Sequence, residues 1–161
     1  MKATRTWYEN NQISPEHIDL EVKQIYVWVV SRDNMVAIVT KSNGESQFPG
    51  GHTEQGENHI ETAVREVSEE AGLDISSYIS ELIQFGYYLV EEVGEKYLQL
   101  RFLLKLPKES QESPLFMNEK SEEERPVESA QWVSLLNLST YIPWTKCLEE
   151  YENVIELVSS K

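Results

Sequence analysis

Between Gly51 and Leu73 the chain reads GHTEQGENHIETAVREVSEEAGL, with its glutamates at set intervals from two glycines and an arginine. At about 100° per residue, Glu66, Glu69 and Glu70 fall within an arc of roughly 100° on one helix face. Three carboxylates this close repel, raise one another's pKa and weaken the helix, unless a cation lies among them. An oxygen-only set suits Mg²⁺, or Mn²⁺ in its place, rather than zinc, which favours nitrogen and sulfur. No CxxC or HxxxH pattern competes, and His52 and His59 are expected to be solvated. Gly50 and Gly51 permit a sharp turn that brings a main-chain carbonyl toward the same cation. Glu57 can reach back to Arg65 and hold the loop on the helix, with an Arg65–Glu61 pair at i, i+4 as the alternative.

The spacing is that of the Nudix box: glycine, five residues, glutamate, seven residues, Arg-Glu, an apolar residue, any residue, Glu-Glu, any residue, glycine, an apolar residue. Gly51, Glu57, Arg65, Glu66, Val67, Glu69, Glu70, Gly72 and Leu73 fill every specified position. A chance match of all of them in a chain of this composition has a probability on the order of 10⁻⁷, so the chain is identified as resembling the MutT-like Nudix hydrolases. The resemblance implies that Glu57, Glu66, Glu69, Glu70 and the Gly50 carbonyl bind Mg²⁺, and that Glu66, Glu69 and Arg65 serve catalysis. It implies hydrolysis of a diphosphate bond in a nucleoside diphosphate linked to another group, by attack of water on phosphorus. The physics agrees: cations offset the diphosphate's charge and acidify water, while a carboxylate takes the proton. Glu66 is the first choice of base, and one of Glu122, Glu123, Glu124 and Glu128 the second.

Substrate lies outside the box. ADP-ribose hydrolases of this family tend to carry a proline a little downstream, and none occurs between Leu73 and Leu106. Coenzyme A hydrolases carry an upstream motif containing arginine, and none lies between Asn34 and Gly50. Dinucleoside polyphosphate hydrolases tend to have a downstream tyrosine, loosely matched by Tyr87 or Tyr88. Arg101, Tyr87 and Glu124 are the candidate substrate contacts. Arg101 reaches phosphate from the polar face of its strand, or else pairs with a surface glutamate. Two further readings are a nucleotide-binding or regulatory module without catalysis, and an isoprenoid diphosphate isomerase. The intact glutamates speak against the first, and Cys147, far along in the closing helix, speaks against the second.

These residues need a frame. Asn58 and Glu61 form a capping-box pattern, so a helix starts there; Ile60, Ala63, Val64, Val67 and Ala71 form one apolar stripe, and Gly72 ends the helix. Gln24–Val30 is a β-branched and aromatic run suited to a strand buried on both faces, and Met35–Thr40 is a second strand. Asn43-Gly44 turns into a short strand near Gln47, which Pro49, Gly50 and Gly51 end. Leu82–Val90 predicts a strand. Leu98–Leu106 predicts another, half-buried, with Gln99, Arg101 and Lys105 on its polar face. Pro107–Pro126 is a long polar segment suited to a linker or lid. Ala130–Val133 is a last strand, and Thr145–Val158 a closing amphipathic helix. Residues 1–23 are expected to be a strand or arm, and Trp28, Trp132 and Trp144 core. The result is a mixed α/β domain with a partly antiparallel sheet, which the resemblance sharpens to an α/β/α sandwich.

At 161 residues and 40% hydrophobic content, the chain suits a single domain. Its net charge of −14 excludes a broad nucleic-acid footprint but not a small phosphorylated nucleotide whose charge a metal offsets. No signal-like start or eighteen-residue apolar run is present, so we expect no secretion signal, no membrane and a cytoplasmic monomer or homodimer. A lone cysteine, Cys147, read as a small hydrophobe, fits a reducing compartment.

Overall fold

A computed structural model describes residues 3–107 and 127–159. Eight strands form a mixed sheet: β1 (Thr4–Glu9), β2 (Val22–Val30), β3 (Met35–Lys41), β4 (Ser46–Gln47), β5 (Gly50–His52), β6 (Ile83–Glu92), β7 (Glu95–Lys105) and β8 (Val127–Ser134). The order is β1-β6-β7-β2-β3-β4, with β5 beside β2 and β8 beside β3. Among the described residues, only β2 and β7 run parallel, from Val22 opposite Leu98 to Val30 opposite Lys105. The other pairs are antiparallel.

β2 is central, and its composition explains why. Ile25, Val27 and Val29 point to one face while Trp28 and Val30 point to the other, and all five are fully buried. On the first face they meet Ala63, Val67 and Ala71 of helix α1 (His59–Ala71). On the second, Trp28 packs with Phe48, Phe85 and Val154, the last from helix α3 (Glu149–Ser159). A short helix, α2 (Leu138–Tyr141), and flanking 3₁₀ turns at Leu135–Asn137 and Pro143–Cys147 complete that cover. The fold is an α/β/α sandwich. Each large apolar side chain buried between its layers contributes about 1.5–3 kcal/mol.

Helix α1 begins and ends as its sequence requires. The Asn58 side chain accepts from the Glu61 amide at 2.8 Å, and Glu61 accepts from the Asn58 amide at 2.9 Å. Gly72 closes the helix with φ of 71°, which a side chain would oppose.

Several expectations change. β7 is not half-buried: Arg101 and Leu103 are each 3% exposed, because α3 and the turns before it cover the face read as polar. The strand near Gln47 ends where expected, before Pro49, but Gly50–His52 then forms a further strand paired with β2. The closing helix starts at Glu149, so Cys147 lies in the preceding turn. Trp28 is core and Trp132 is half-buried, but Trp144 is 41% exposed. The amino-terminal arm is strand β1 along β6, fastened further by Ser14, whose amide donates to the Tyr87 hydroxyl at 3.2 Å. No helix among the described residues is long and apolar enough to cross a membrane. The segment read as a linker or lid lies almost wholly outside the described residues.

Candidate active site

Pairing with β2 places Gly50 and Gly51 directly against α1. The Gly50 amide donates to Glu70 Oε1 at 2.9 Å, and Lys41 Nζ lies 3.4 Å from Glu70 Oε2. A Cβ on Gly51 would stand 2.6 Å from Glu66 Oε1, and one on Gly50 would stand 2.2 Å from the Ile25 carbonyl oxygen. Only glycine lets strand, loop and helix carboxylates approach this closely. Glu66 and Glu70 are buried, while the Glu69 side chain is 46% exposed.

Arg65 ties the loop to the helix. Its Nε and Nη2 donate to the two oxygens of Glu57 at 2.6 and 3.0 Å, and Nη2 also donates to the His52 carbonyl at 2.9 Å. Nη1 donates to Glu66 Oε1 at 3.0 Å and Glu69 Oε2 at 3.2 Å. Glu57 further accepts from the Glu54 amide and the Thr62 hydroxyl, each at 2.9 Å. The Arg65 guanidinium, with these donors, holds the Glu57 carboxyl down at about 2. The alternative pair of Arg65 with Glu61 gives way, because Glu61 is engaged in the cap. His52 presents its carbonyl here, and burial lowers the His59 imidazole pKa.

Among the described residues, no three carboxylate, imidazole or thiol groups stand close enough to share one ion. Glu57, Glu66 and Glu69 instead surround Arg65, and Glu70 turns to the Gly50 amide and Lys41. The donors nonetheless fit a hard divalent cation in kind, being all oxygen. Glu66, Glu69 and Glu70 also share one helix face.

A cavity of about 270 Å³ adjoins this loop on the opposite face of the sheet, lined by Arg5, Tyr26, Phe48, Gln99, Arg101 and Trp144, among others. Tyr26 joins the two regions: it pairs with Gly50, and its Cδ1 would be 2.5 Å from a Gly50 Cβ. The Arg101 guanidinium lies 4.7 Å from the Tyr26 ring and 4.9 Å from the Tyr88 ring. Its Nε donates to Glu150 Oε2 at 2.9 Å. Glu150 is fully buried and also accepts from Trp28 Nε1 and the Tyr88 hydroxyl, each at 2.8 Å. Burial first, and the Glu150 charge second, raise the Tyr88 pKa.

A family model described as the NUDIX domain matches residues 21–151. The chain belongs to the Nudix family. The match and the complete box together make it a Nudix pyrophosphohydrolase, a hydrolase acting on acid anhydrides. No curated protein matches it in sequence. Its fold is similar to that of a C. elegans Ap4A hydrolase in a binary complex (TM-score 0.63, 15% identity), over 86% of this chain and 98% of that one. It is similar to the NUDIX domain of Shewanella oneidensis NrtR complexed with ADP ribose (TM-score 0.62, 12% identity), over 91% and 94%. A Bacillus subtilis pyrophosphohydrolase gives a TM-score of 0.57 at 20% identity, over 83% and 77%. At these identities the likeness is one of fold.

The candidate contacts outside the Nudix box fare unevenly. Arg101 lines the cavity, but as a buried partner of Glu150 rather than from a solvent face. Tyr87 is fully buried, stacked on Tyr8 at 5.3 Å, with its hydroxyl 2.8 Å from His17 Nδ1, and so is closed to substrate. Tyr88 has only 5% of its surface exposed. Glu122, Glu123 and Glu124 lie outside the described residues; Glu128 is exposed on β8. Sequence reasoning missed Arg5, Tyr26, Lys41 and Glu150. Glu150 did carry a signal: it stands four and eight residues before Val154 and Val158, an acid in line with apolar positions of α3.

Proposed function

We propose that the chain hydrolyses a diphosphate bond in a nucleoside diphosphate linked to another group, with a divalent cation, Mg²⁺ or Mn²⁺, held by Glu57, Glu66, Glu69, Glu70 and the Gly50 carbonyl. The observation that carries this reading is the interlock of loop and helix: Glu70 on the Gly50 amide, Glu66 against Gly51, and Arg65 spanning Glu57, Glu66 and Glu69. The cavity, of a size for part of a nucleotide, lies across the sheet from these carboxylates and is linked to the loop through Tyr26, which pairs with Gly50. When bound, the cation offsets the diphosphate's charge and acidifies the attacking water.

The chain's own residues do the rest. Glu66 is the base: it takes the proton as the water oxygen attacks phosphorus and the bond to the leaving phosphate breaks. Arg65 orients Glu66 and Glu69 and keeps the loop on the helix. Lys41, beside Glu70, places a positive charge near the entering phosphates. The cavity beyond Tyr26 takes the group attached to the diphosphate, with Arg101 at its floor.

The test is release of phosphate or nucleoside monophosphate from nucleoside triphosphates, ADP-ribose, dinucleoside polyphosphates, nucleotide sugars and capped RNA, with Mg²⁺ or Mn²⁺. Cleavage is expected with at least one substrate, abolished by chelation and lowered at least a hundredfold by Glu70→Gln. Failure of the whole panel, or a Glu70→Gln protein as active as the parent, rejects the mechanism. Tight nucleotide binding without turnover makes the chain a binding module instead.

A further inference from the structure

A strand at the edge of a sheet offers unpaired N–H and C=O groups to any other strand, and proteins guard such edges by keeping them short, bulged or rich in lysine and proline. At one end of this sheet β4 is two residues long, and β8 slips its register beside Thr40 and Lys41. At the other end β1 has none of these guards. Its six residues, TRTWYE, hold neither lysine nor proline, and their pairing with β6 is unbroken from Thr4 opposite Glu91 to Glu9 opposite Gly86. Among the described residues nothing pairs with its outer side.

The ladder fixes which groups face outward. The Asn10 amide donates to the Phe85 carbonyl at 3.2 Å, one step further along the same register. Hydrogen-bonded pairs alternate along an antiparallel ladder, so Thr4, Thr6 and Tyr8 turn their backbone groups to β6, while Arg5, Trp7 and Glu9 turn theirs out. An antiparallel strand added here must set outward-facing residues of its own against these three. For a second copy of β1, the register that uses all three places Trp7 opposite Trp7 and Arg5 opposite Glu9, the latter twice by symmetry. A shift of two residues in either direction carries Arg5 or Glu9 past the end of its partner strand. The opposite charges are thus directly opposed only in the register that is also the fullest.

We propose that the outer edge of β1 is a homodimer interface, in which two copies pair antiparallel about a two-fold axis at Trp7 and join their sheets into one. Arg5 and Glu9 are both exposed and, four residues apart on a strand, lie on one face. Arg5 gives one nitrogen to Gln99 Oε1 at 2.8 Å and stands 4.6 Å over the Tyr88 ring, which holds its guanidinium beside the strand with its other nitrogens open to Glu9 of the second copy. Past the end of β1 a groove of about 430 Å³, lined by Asn10, Ile83, Phe85 and Leu157, continues the surface, with Ile83 44% exposed. In this register the second copy's Thr4 lies beside Asn10, so the amino-terminal end of its strand meets the groove. Each copy covers the other's groove, which adds apolar burial to a strand pairing that would alone be a small interface.

The test is sedimentation equilibrium of the full chain, free of any amino-terminal tag, at about 0.15 M salt, where the repulsion between two chains at −14 is screened. The parent is expected to reach twice the chain mass in the micromolar range. Arg5→Glu and Glu9→Arg each set like charges against one another, and each is expected to weaken the dimer about tenfold or more. Both changes together restore the opposition, so the double variant is expected to dimerise like the parent, which a general loss of packing would not allow. Glu9→Pro removes an outward amide and leaves the ladder with β6 intact, and an edge strand tolerates proline there, so a folded monomer is expected. Thermal melts check folding, and if Glu9→Pro unfolds, the charge series still decides. Amide exchange followed by NMR gives a second readout: protection at Trp7 and Glu9 is expected to rise with concentration, while Thr6 and Tyr8, already bonded to β6, stay constant. A parent monomeric up to hundreds of micromolar, a dimer indifferent to both single reversals, a folded double variant that stays monomeric, or a dimer that survives Glu9→Pro overturns the proposal. So does protection of Trp7 and Glu9 at every concentration, because the chain would then cover its own edge.

Discussion

The Arg65 guanidinium grips the Glu57 carboxylate through two nitrogens, at 2.6 and 3.0 Å, and so joins the loop before α1 to the helix that follows. The third nitrogen holds Glu66 and Glu69, so one planar side chain serves three acids and the His52 carbonyl. A lysine has one nitrogen and cannot span that set. Arg65→Lys is therefore expected to cost nearly as much activity as Arg65→Ala, at least tenfold in kcat, despite its retained charge. Both should lower stability by about 1–2 kcal/mol. Steady-state kinetics on whichever substrate is cleaved decides; an Arg65→Lys enzyme within twofold of the parent would show that charge alone matters.

Tyr88 links stability to alkaline pH. Its hydroxyl is buried against the Glu150 carboxylate, which raises its pKa above the usual 10. A group whose folded pKa is raised contributes stability that is present below the unfolded value and lost as pH climbs toward the folded one. The parent should thus lose stability above about pH 10, and Tyr88→Phe should lose less over the same range, although it starts lower because Glu150 has lost a donor. Urea midpoints at pH 8 and pH 11 for both proteins measure this. Parallel declines would remove Tyr88 from the account.

What was legible in the sequence follows from where the information is local. The Asn58–Glu61 cap, the stripe from Ile60 to Ala71 and the left-handed Gly72 need only neighbours within a turn of helix, and all three are present. The two-sided burial of β2 was equally plain from QIYVWVV. Arg101 misled because alternation along β7 reports side-chain direction, not what lies on the far side. There α3, almost fifty residues later, supplies a buried acid. Trp144 misled in the opposite sense, since an aromatic beside a cavity is composed like one in a core. The cavity residues come from β1, β2, β4 and the residue after it, β6, β7 and the turn before α3, and no local pattern could join them.

The cap itself can be tested alone. Asn58→Ala removes the acceptor for the Glu61 amide and is expected to cost about 1 kcal/mol, or about 2–4 °C in Tm for a chain of this size. Asn58→Asp should restore most of it. A thermal melt of each variant suffices, and an alanine variant as stable as the parent would mean that the loop latch alone holds the helix start.

The two glycines ahead of the loop should fail in different ways. A Cβ on Gly50 meets the Ile25 carbonyl oxygen at 2.2 Å and the Tyr26 Cα at 2.7 Å, backbone atoms of the central strand that cannot yield without breaking its pairing. A Cβ on Gly51 meets Glu66 Oε1 at 2.6 Å, the far end of a side chain that can swing away. Gly50→Ala is therefore expected to lower stability by about 3 kcal/mol or more, with activity falling in step with the folded fraction. Gly51→Ala should lose about 1 kcal/mol or less in stability but at least tenfold in kcat, because it displaces the proposed base. Urea denaturation and steady-state kinetics on both variants separate the two effects. If Gly51→Ala retains full kcat, the position of the Glu66 carboxylate does not matter to the reaction, and the proton must go to another residue.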